Sequence, residues 1–141
     1  MVKRSLWLAL LVTAGLLAWR FGLPVALKYF FRVSGTVTIA PGLIQALPGS
    51  NSMLFVIARN GGGVPVAVKK IINPVFPARF EMTSSSLIMP DLLTRRIYLE
   101  ALVNTHGQLG TLRRGDLRGT RNERVNFVSK NIEIKLNTAQ K

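Results

Sequence analysis

An apolar run begins four residues into the chain and limits what this end can become. Met1-Val2-Lys3-Arg4 is a short basic start, and Ser5 to Trp19 follows without a charge. As a helix this run reaches roughly 22 Å, short for a bilayer core. Beyond Arg20 the apolar character resumes through Phe21-Gly22-Leu23-Pro24-Val25-Ala26-Leu27, before Lys28 and Tyr29-Phe30-Phe31-Arg32. Leu6 to Leu27 is then about 22 residues with one internal arginine, whose head group can snorkel to the interface. A cleaved secretory signal shares the basic start and the apolar stretch. No small-x-small site follows, however, because Ala18 is succeeded by Trp19 and Arg20, and bulky aromatics suit an interface anchor.

Residues 1–32 are therefore expected to be an N-terminal membrane anchor (or signal) with its juxtamembrane segment. The anchoring residues are Leu6, Trp7, Leu10, Leu11, Leu16, Leu17 and Trp19. Lys3 and Arg4 on a four-residue tail favour an inside N-terminus, although Arg20, Lys28 and Arg32 flank the other end. This orientation makes a single-pass protein of a bacterial inner membrane, with residues 33–141 as an extracytoplasmic domain. Lys28 to Val33 join anchor to domain directly, so the domain should sit close to the membrane surface.

Composition narrows the chemistry. The 141 residues contain no cysteine and one histidine, which excludes disulfides, Cys-ligated metals, a thiol nucleophile and a multi-His centre. With 19 Lys+Arg against 6 Asp+Glu the net charge is +13, yet 48% hydrophobic residues argue for a folded chain. Residues 33–141 carry 14 basic and 6 acidic groups, a net +8.

From Val33 the helical period gives way to short strands. Ser34 to Ile39 is β-branched, with Val37 and Ile39 on one face. Met53 to Ala58 is continuously apolar, as in a strand buried on both faces. Asn60-Gly61-Gly62-Gly63 separates it from Val64 to Ile71, a pairing that reads as a hairpin, with Pro65 at an edge or strand start. Phe76 to Thr83, Ile97 to Thr105 and Asn131 to Leu136 alternate in turn, and Gly107, Gly110, Gly115 and Gly119 mark turns. Six or seven short strands predict an all-β fold, a small β-sandwich or partly open barrel, preceded by one N-terminal transmembrane helix.

The order Ser34-Gly35-Thr36-Val37, Leu54-Phe55-Val56-Ile57-Ala58-Arg59 and Val64-Pro65-Val66-Ala67-Val68-Lys69-Lys70 resembles the C-terminal periplasmic domain of the cytochrome c maturation protein CcmI. Phe76-Pro77, Met89-Pro90 and Gly115-Asp116-Leu117-Arg118-Gly119 follow at compatible spacings, so the resemblance covers roughly Val33 to Thr120. Where that family has an "AR-SKSG" strand end, Glu100 to Gly107 stands instead. The two transmembrane segments and tetratricopeptide-type repeats of the full architecture do not fit here, so the chain reads as a free-standing version on its own anchor. The resemblance implies a periplasmic domain that holds apocytochrome c for haem attachment.

Candidate sites are few. His106 is expected to be a solvated turn residue, and Asp116 a turn acceptor for backbone N–H groups without a His or acidic partner nearby in sequence. Met53 and Met89 read as core. The Asn60–Gly63 loop lacks the strand-to-helix context of a phosphate loop. Arg113, Arg114, Arg118, Arg121 and Arg124 crowd into 12 residues, as a solvated face, a lipid contact or a patch for an acidic protein. Aromatics are scarce around them, which argues against nucleic acid.

No nucleophile–base pair or paired carboxylates can be assembled, so the expectation is a binding module, not an enzyme, with no cofactor and no metal. Its partner-binding residues are expected to be Arg59, Pro65, Lys69, Lys70, Arg113, Arg114 and Arg118, acting at an unpaired edge near Pro65 or along the Leu54–Ala58 and Val64–Val68 strands. The partner that the resemblance implies is apocytochrome c or a cytochrome-containing membrane complex. In the alternative reading the chain is a structural accessory subunit of such a complex, packing its Ala14, Gly15 and Ala18 helix face on other helices.

Overall fold

The computed structural model describes residues 2–141. A 29-residue helix α1 (Val2–Phe30) leads into nine strands. These are β1 (Arg32–Ile39), β2 (Met53–Arg59), β3 (Pro65–Ile72), β4 (Ala78–Thr83), β5 (Arg96–Asn104), β6 (Leu117–Thr120), β7 (Val125–Asn126), β8 (Val128–Leu136) and β9 (Thr138–Ala139). Three strands lie outside the six read by name, because the short β6, β7 and β9 carry no long periodic signal of their own.

At 1.5 Å per residue α1 is roughly 43 Å long, sufficient to cross a membrane with a turn to spare. It is apolar enough to do so, and Pro24 near its end does not interrupt it. All seven expected anchoring residues lie on it, and Leu6, Trp7, Leu10, Leu11, Leu16, Leu17 and Trp19 are exposed. The helix passes into β1 through one residue, Phe31, which is 2% exposed and packs in the domain core. Leu27 packs against the same core, and Lys28 pairs with Asp91. The direct junction expected from the sequence is present, and these contacts tie it to the domain.

The strands form a sandwich of two sheets that does not close into a barrel. One sheet has the order β4-β1-β8, with β4 antiparallel and β8 parallel to β1. The other runs β3-β2-β5-β6-β9, with β7 beside the start of β5. The predicted β2–β3 hairpin is its edge pair. Val33, Val37, Phe80, Met82, Ile134 and Leu136 from the first sheet meet Leu54, Val56, Ala58, Ile97, Leu99, Val103 and Leu117 from the second. Each set follows the two-residue strand period, and interleaving them removes both apolar faces from water.

Two glycines permit the closest approaches. A Cβ on Gly35 would lie 1.8 Å from the Ile132 carbonyl oxygen, where β8 bulges against β1 and Asn131 takes a φ of 56°. A Cβ on Gly119 would lie 2.0 Å from the Lys135 carbonyl oxygen, where β6 meets β8. Gly119 is therefore a strand residue and not the turn expected of it. At Gly35 the neighbouring strand of the same sheet, and at Gly119 the facing sheet, brings its backbone too near for any side chain.

The edge near Pro65 is not open. Ile88 and Met89 both donate backbone N–H to the Val66 carbonyl, and Leu87 bridges Ala67. Segment 87–89 covers the first half of β3, and Met89, expected in the core, is instead 46% exposed on it.

Candidate functional site

β2 is apolar at every position from Met53 to Ala58, so its outward residues cannot all reach the core. Leu54, Val56 and Ala58 point between the sheets, whereas Phe55 and Ile57 form a second cluster on the outer face with Leu102 of β5, joined by Met53 and Val68. Register fixes this arrangement: Phe55 lies between Lys70 of β3 and Leu102, and Ile57 between Val68 and Glu100. These three apolar residues are 1–4% exposed although nothing covers them but neighbouring side chains. Long basic side chains lying over apolar surface achieve this.

Glu100 is the centre of that cover. It is 6% exposed, and its carboxylate receives two arginines from opposite sides. Arg59 Nε lies 3.0 Å from Oε2, and Arg118 Nε lies 2.5 Å from Oε1. Arg59 also donates to the Gly63 carbonyl at 3.1 Å. A lone buried carboxylate would be costly; two guanidinium partners offset its desolvation and leave the cluster with net positive charge. Around it, Lys70 Nζ lies 5.9 Å from the Phe55 ring centroid, and Arg124 lies 4.9 Å from the Tyr98 ring centroid while donating to its hydroxyl. The result is an aromatic and apolar floor rimmed by Arg59, Lys70, Arg118 and Arg124, with one internally neutralised acid. Such a face can take an extended polypeptide through its carboxylates and carbonyls.

The seven expected partner-binding residues therefore separate. Arg59, Lys70 and Arg118 share the outer face. Lys69 alternates with Lys70 and lies on the side of β3 that faces the other sheet, exposed at its rim. Pro65 starts β3 on the edge of the sheet. Arg113 and Arg114 sit in the exposed loop before β6, at the end of the sandwich opposite α1. The arginine run is thus not one patch: Arg121 bonds the Glu133 carbonyl and pairs with Glu123, and Arg124 is on Tyr98. Sequence reasoning placed the Leu54–Ala58 strand, and with it Phe55, at the surface but missed Tyr98 and Glu100 as members of the face. The available signal was a lone glutamate inside the apolar run Leu99 to Val103 of a basic chain.

His106 and Asp116 depart from expectation. Asp116 Oδ2 accepts the Arg113 N–H at 2.7 Å, as a turn acceptor should, and also lies 2.9 Å from His106 Nε2. The His106 side chain is only 12% exposed, not solvated. Its Nδ1 accepts the Gln108 N–H at 3.2 Å, so Nε2 carries the proton given to Asp116. Both ring nitrogens are engaged and both partners are structural, making the pair a clasp across loop 105–116. Asn60 does similar work in the glycine loop, where its Oδ1 accepts the N–H groups of Gly62 and Val64.

Residues 33–137 match the family model of the cytochrome c-type biogenesis protein H Ig-like domain. An uncharacterized protein of Aquifex aeolicus (strain VF5) is 33% identical over 89 residues, 62% of this chain. The match spans 59% of that relative's length. Among solved structures, an alternative pilotin from the type II secretion system of Vibrio cholerae is similar over 74% of this chain and 93% of that one, with TM-score 0.45 and 13% identity.

Proposed function

The chain belongs to the family of cytochrome c-type biogenesis protein H Ig-like domains, and from that premise we propose that it is a membrane-anchored binding module that docks a cytochrome polypeptide outside the cytoplasm. Within the family we place it beside the C-terminal periplasmic domain of CcmI, on the ordered motifs from Ser34-Gly35 to Gly115-Asp116-Leu117-Arg118-Gly119. In this reading α1 anchors the chain in a bacterial inner membrane, and the sandwich stands in the periplasm. The activity is binding and not catalysis.

The observation that carries this reading is the outer face of β3, β2, β5 and β6. It joins an apolar floor of Phe55, Ile57 and Leu102 to cations at Arg59, Lys70 and Arg118. An unfolded cytochrome chain offers acidic side chains and free carbonyls together, and the cations of this face fit both. Lys69 and Pro65, at the rim and edge of the same sheet, extend it, whereas Arg113 and Arg114 make a separate basic contact at the far end.

The test is a mild-detergent pull-down of the tagged full-length protein, with mass spectrometry and an absorbance spectrum of the eluate. Apocytochrome c and maturation components without a haem spectrum are the expected result. Stoichiometric recovery with a haem-bearing membrane complex replaces the holder with an accessory subunit.

A further inference from the structure

The end of the sandwich where α1 enters has a composition unlike the rest of the surface. Ile88 is 55% exposed, Met89 46%, Leu92 46% and Val128 47%. They are held in place: segment 87–89 is hydrogen-bonded to Val66, and Asp91 is tied to Lys28 of α1. Arg95 and Arg96 follow directly, exposed and without an ion pair among the described residues. The Arg95 carbonyl accepts the Phe127 N–H and the Phe127 carbonyl accepts the Arg32 N–H, so both arginines stand within two strand spacings of the helix–domain junction. The nearby acids are already neutralised, Asp91 by Lys28 and Glu81 by Arg32.

We propose that this end of the domain is a lipid-contact surface, with Ile88, Met89 and Leu92 at the headgroup boundary and Arg95 and Arg96 on anionic phospholipid. The proposal rests on the reading of α1 as a membrane-spanning anchor. The occupant follows from the junction: a helix that leaves the bilayer and enters the core through Phe31 brings this end against the headgroups without slack. Exposed apolar side chains beside unpaired guanidinium groups are the residues that an anionic interface accommodates. Arg113 and Arg114 lie at the opposite end and take no part. Docked in this way, the domain holds its outer β2–β5 face to the side of the membrane and not against it.

The absence of native cysteine makes the test direct. Leu92→Cys and Val75→Cys, the latter at the opposite end, are each labelled with an environment-sensitive fluorophore in the full-length protein. Both are reconstituted into vesicles of phosphatidylcholine with or without equal parts of phosphatidylglycerol. The label at 92 is expected to be bluer than the label at 75 in both vesicles, to shift further to the blue with phosphatidylglycerol, and to lose that further shift with Arg95→Gln and Arg96→Gln. Flotation with the vesicles reports on the anchor separately. Protein that floats while position 92 stays as polar as position 75 overturns the lipid contact alone, and a label at 92 that gains nothing from phosphatidylglycerol overturns the assignment of Arg95 and Arg96 to anionic phospholipid. Protein that does not float overturns the anchor and the lipid contact together.

Discussion

Arg59 Nε lies 3.0 Å from Glu100 Oε2 on a sheet face where the next outward residue along each strand, Ile57 and Leu102, is apolar and buried. The pair is therefore part of a cover over hydrophobic surface and not a solvated surface bridge, and the consequences of disturbing it differ accordingly.

Removing one arginine leaves Glu100 with the other. Arg59→Ala or Arg118→Ala should each cost about 1–3 kcal/mol of stability. The double variant strands a carboxylate side chain that is 8% exposed, and should cost about 3–5 kcal/mol. Thermal unfolding of the detergent-solubilised protein, followed by circular dichroism, measures both. A double variant no worse than either single would mean that Glu100 is neutralised from elsewhere.

Lys70 touches only the Phe55 ring in this network, at 5.9 Å. Lys70→Glu should leave the unfolding temperature nearly unchanged, since such a contact contributes about 0.5–1 kcal/mol at most. It should weaken binding of an acidic apocytochrome segment by roughly tenfold, mainly through slower association that salt accentuates. Surface plasmon resonance at two ionic strengths reads both effects.

Gly35→Ala and Gly119→Ala should each unfold or strongly loosen the sandwich, because the added methyl would overlap a carbonyl of β8 at 1.8 Å and 2.0 Å. Overpacking in a tight site costs about 1–3 kcal/mol and more where backbone must move. Gly61→Ala, with nothing within 4 Å, should be nearly neutral. The three unfolding curves compared side by side decide it.

His106→Ala removes a clasp and no chemistry. It should raise hydrogen exchange across residues 105–116 and cost about 1–2 kcal/mol, while binding at the β2–β5 face is unchanged. Lost binding with intact folding would assign His106 a direct role.

The sandwich was legible because its strands keep the two-residue period: Ala78, Phe80 and Met82, or Ile97, Leu99, Ala101 and Val103, are buried as their alternation required. The β2–β3 hairpin was legible from two apolar runs around Asn60-Gly61-Gly62-Gly63. Pairings distant in sequence left no such trace, so the parallel β1–β8 ladder and the capping of β3 by residues 87–89 emerged only in the fold. The motif residues of the family resemblance are largely structural: Gly35 and Gly119 clear a carbonyl, Asp116 closes a turn, and Leu54 and Leu117 are core. They identify the fold, whereas the face that we propose for binding depends on outward residues whose neighbours across strands a linear reading cannot see. Arg59 and Arg118 are 59 positions apart in sequence numbering and meet on one carboxylate.

The most direct test of the binding face uses the cysteine-free chain again. Single cysteines are placed at Lys70, on the proposed face, and at Arg79, on the outer side of the other sheet, in the full-length protein. Each is incubated with apocytochrome c, whose haem-attachment motif supplies thiols, under mild oxidation. The expected result is a mixed disulfide with Lys70→Cys that folded holocytochrome does not give, and little with Arg79→Cys. Equal capture at both positions, or capture at Arg79→Cys alone, would contradict the assignment of this face.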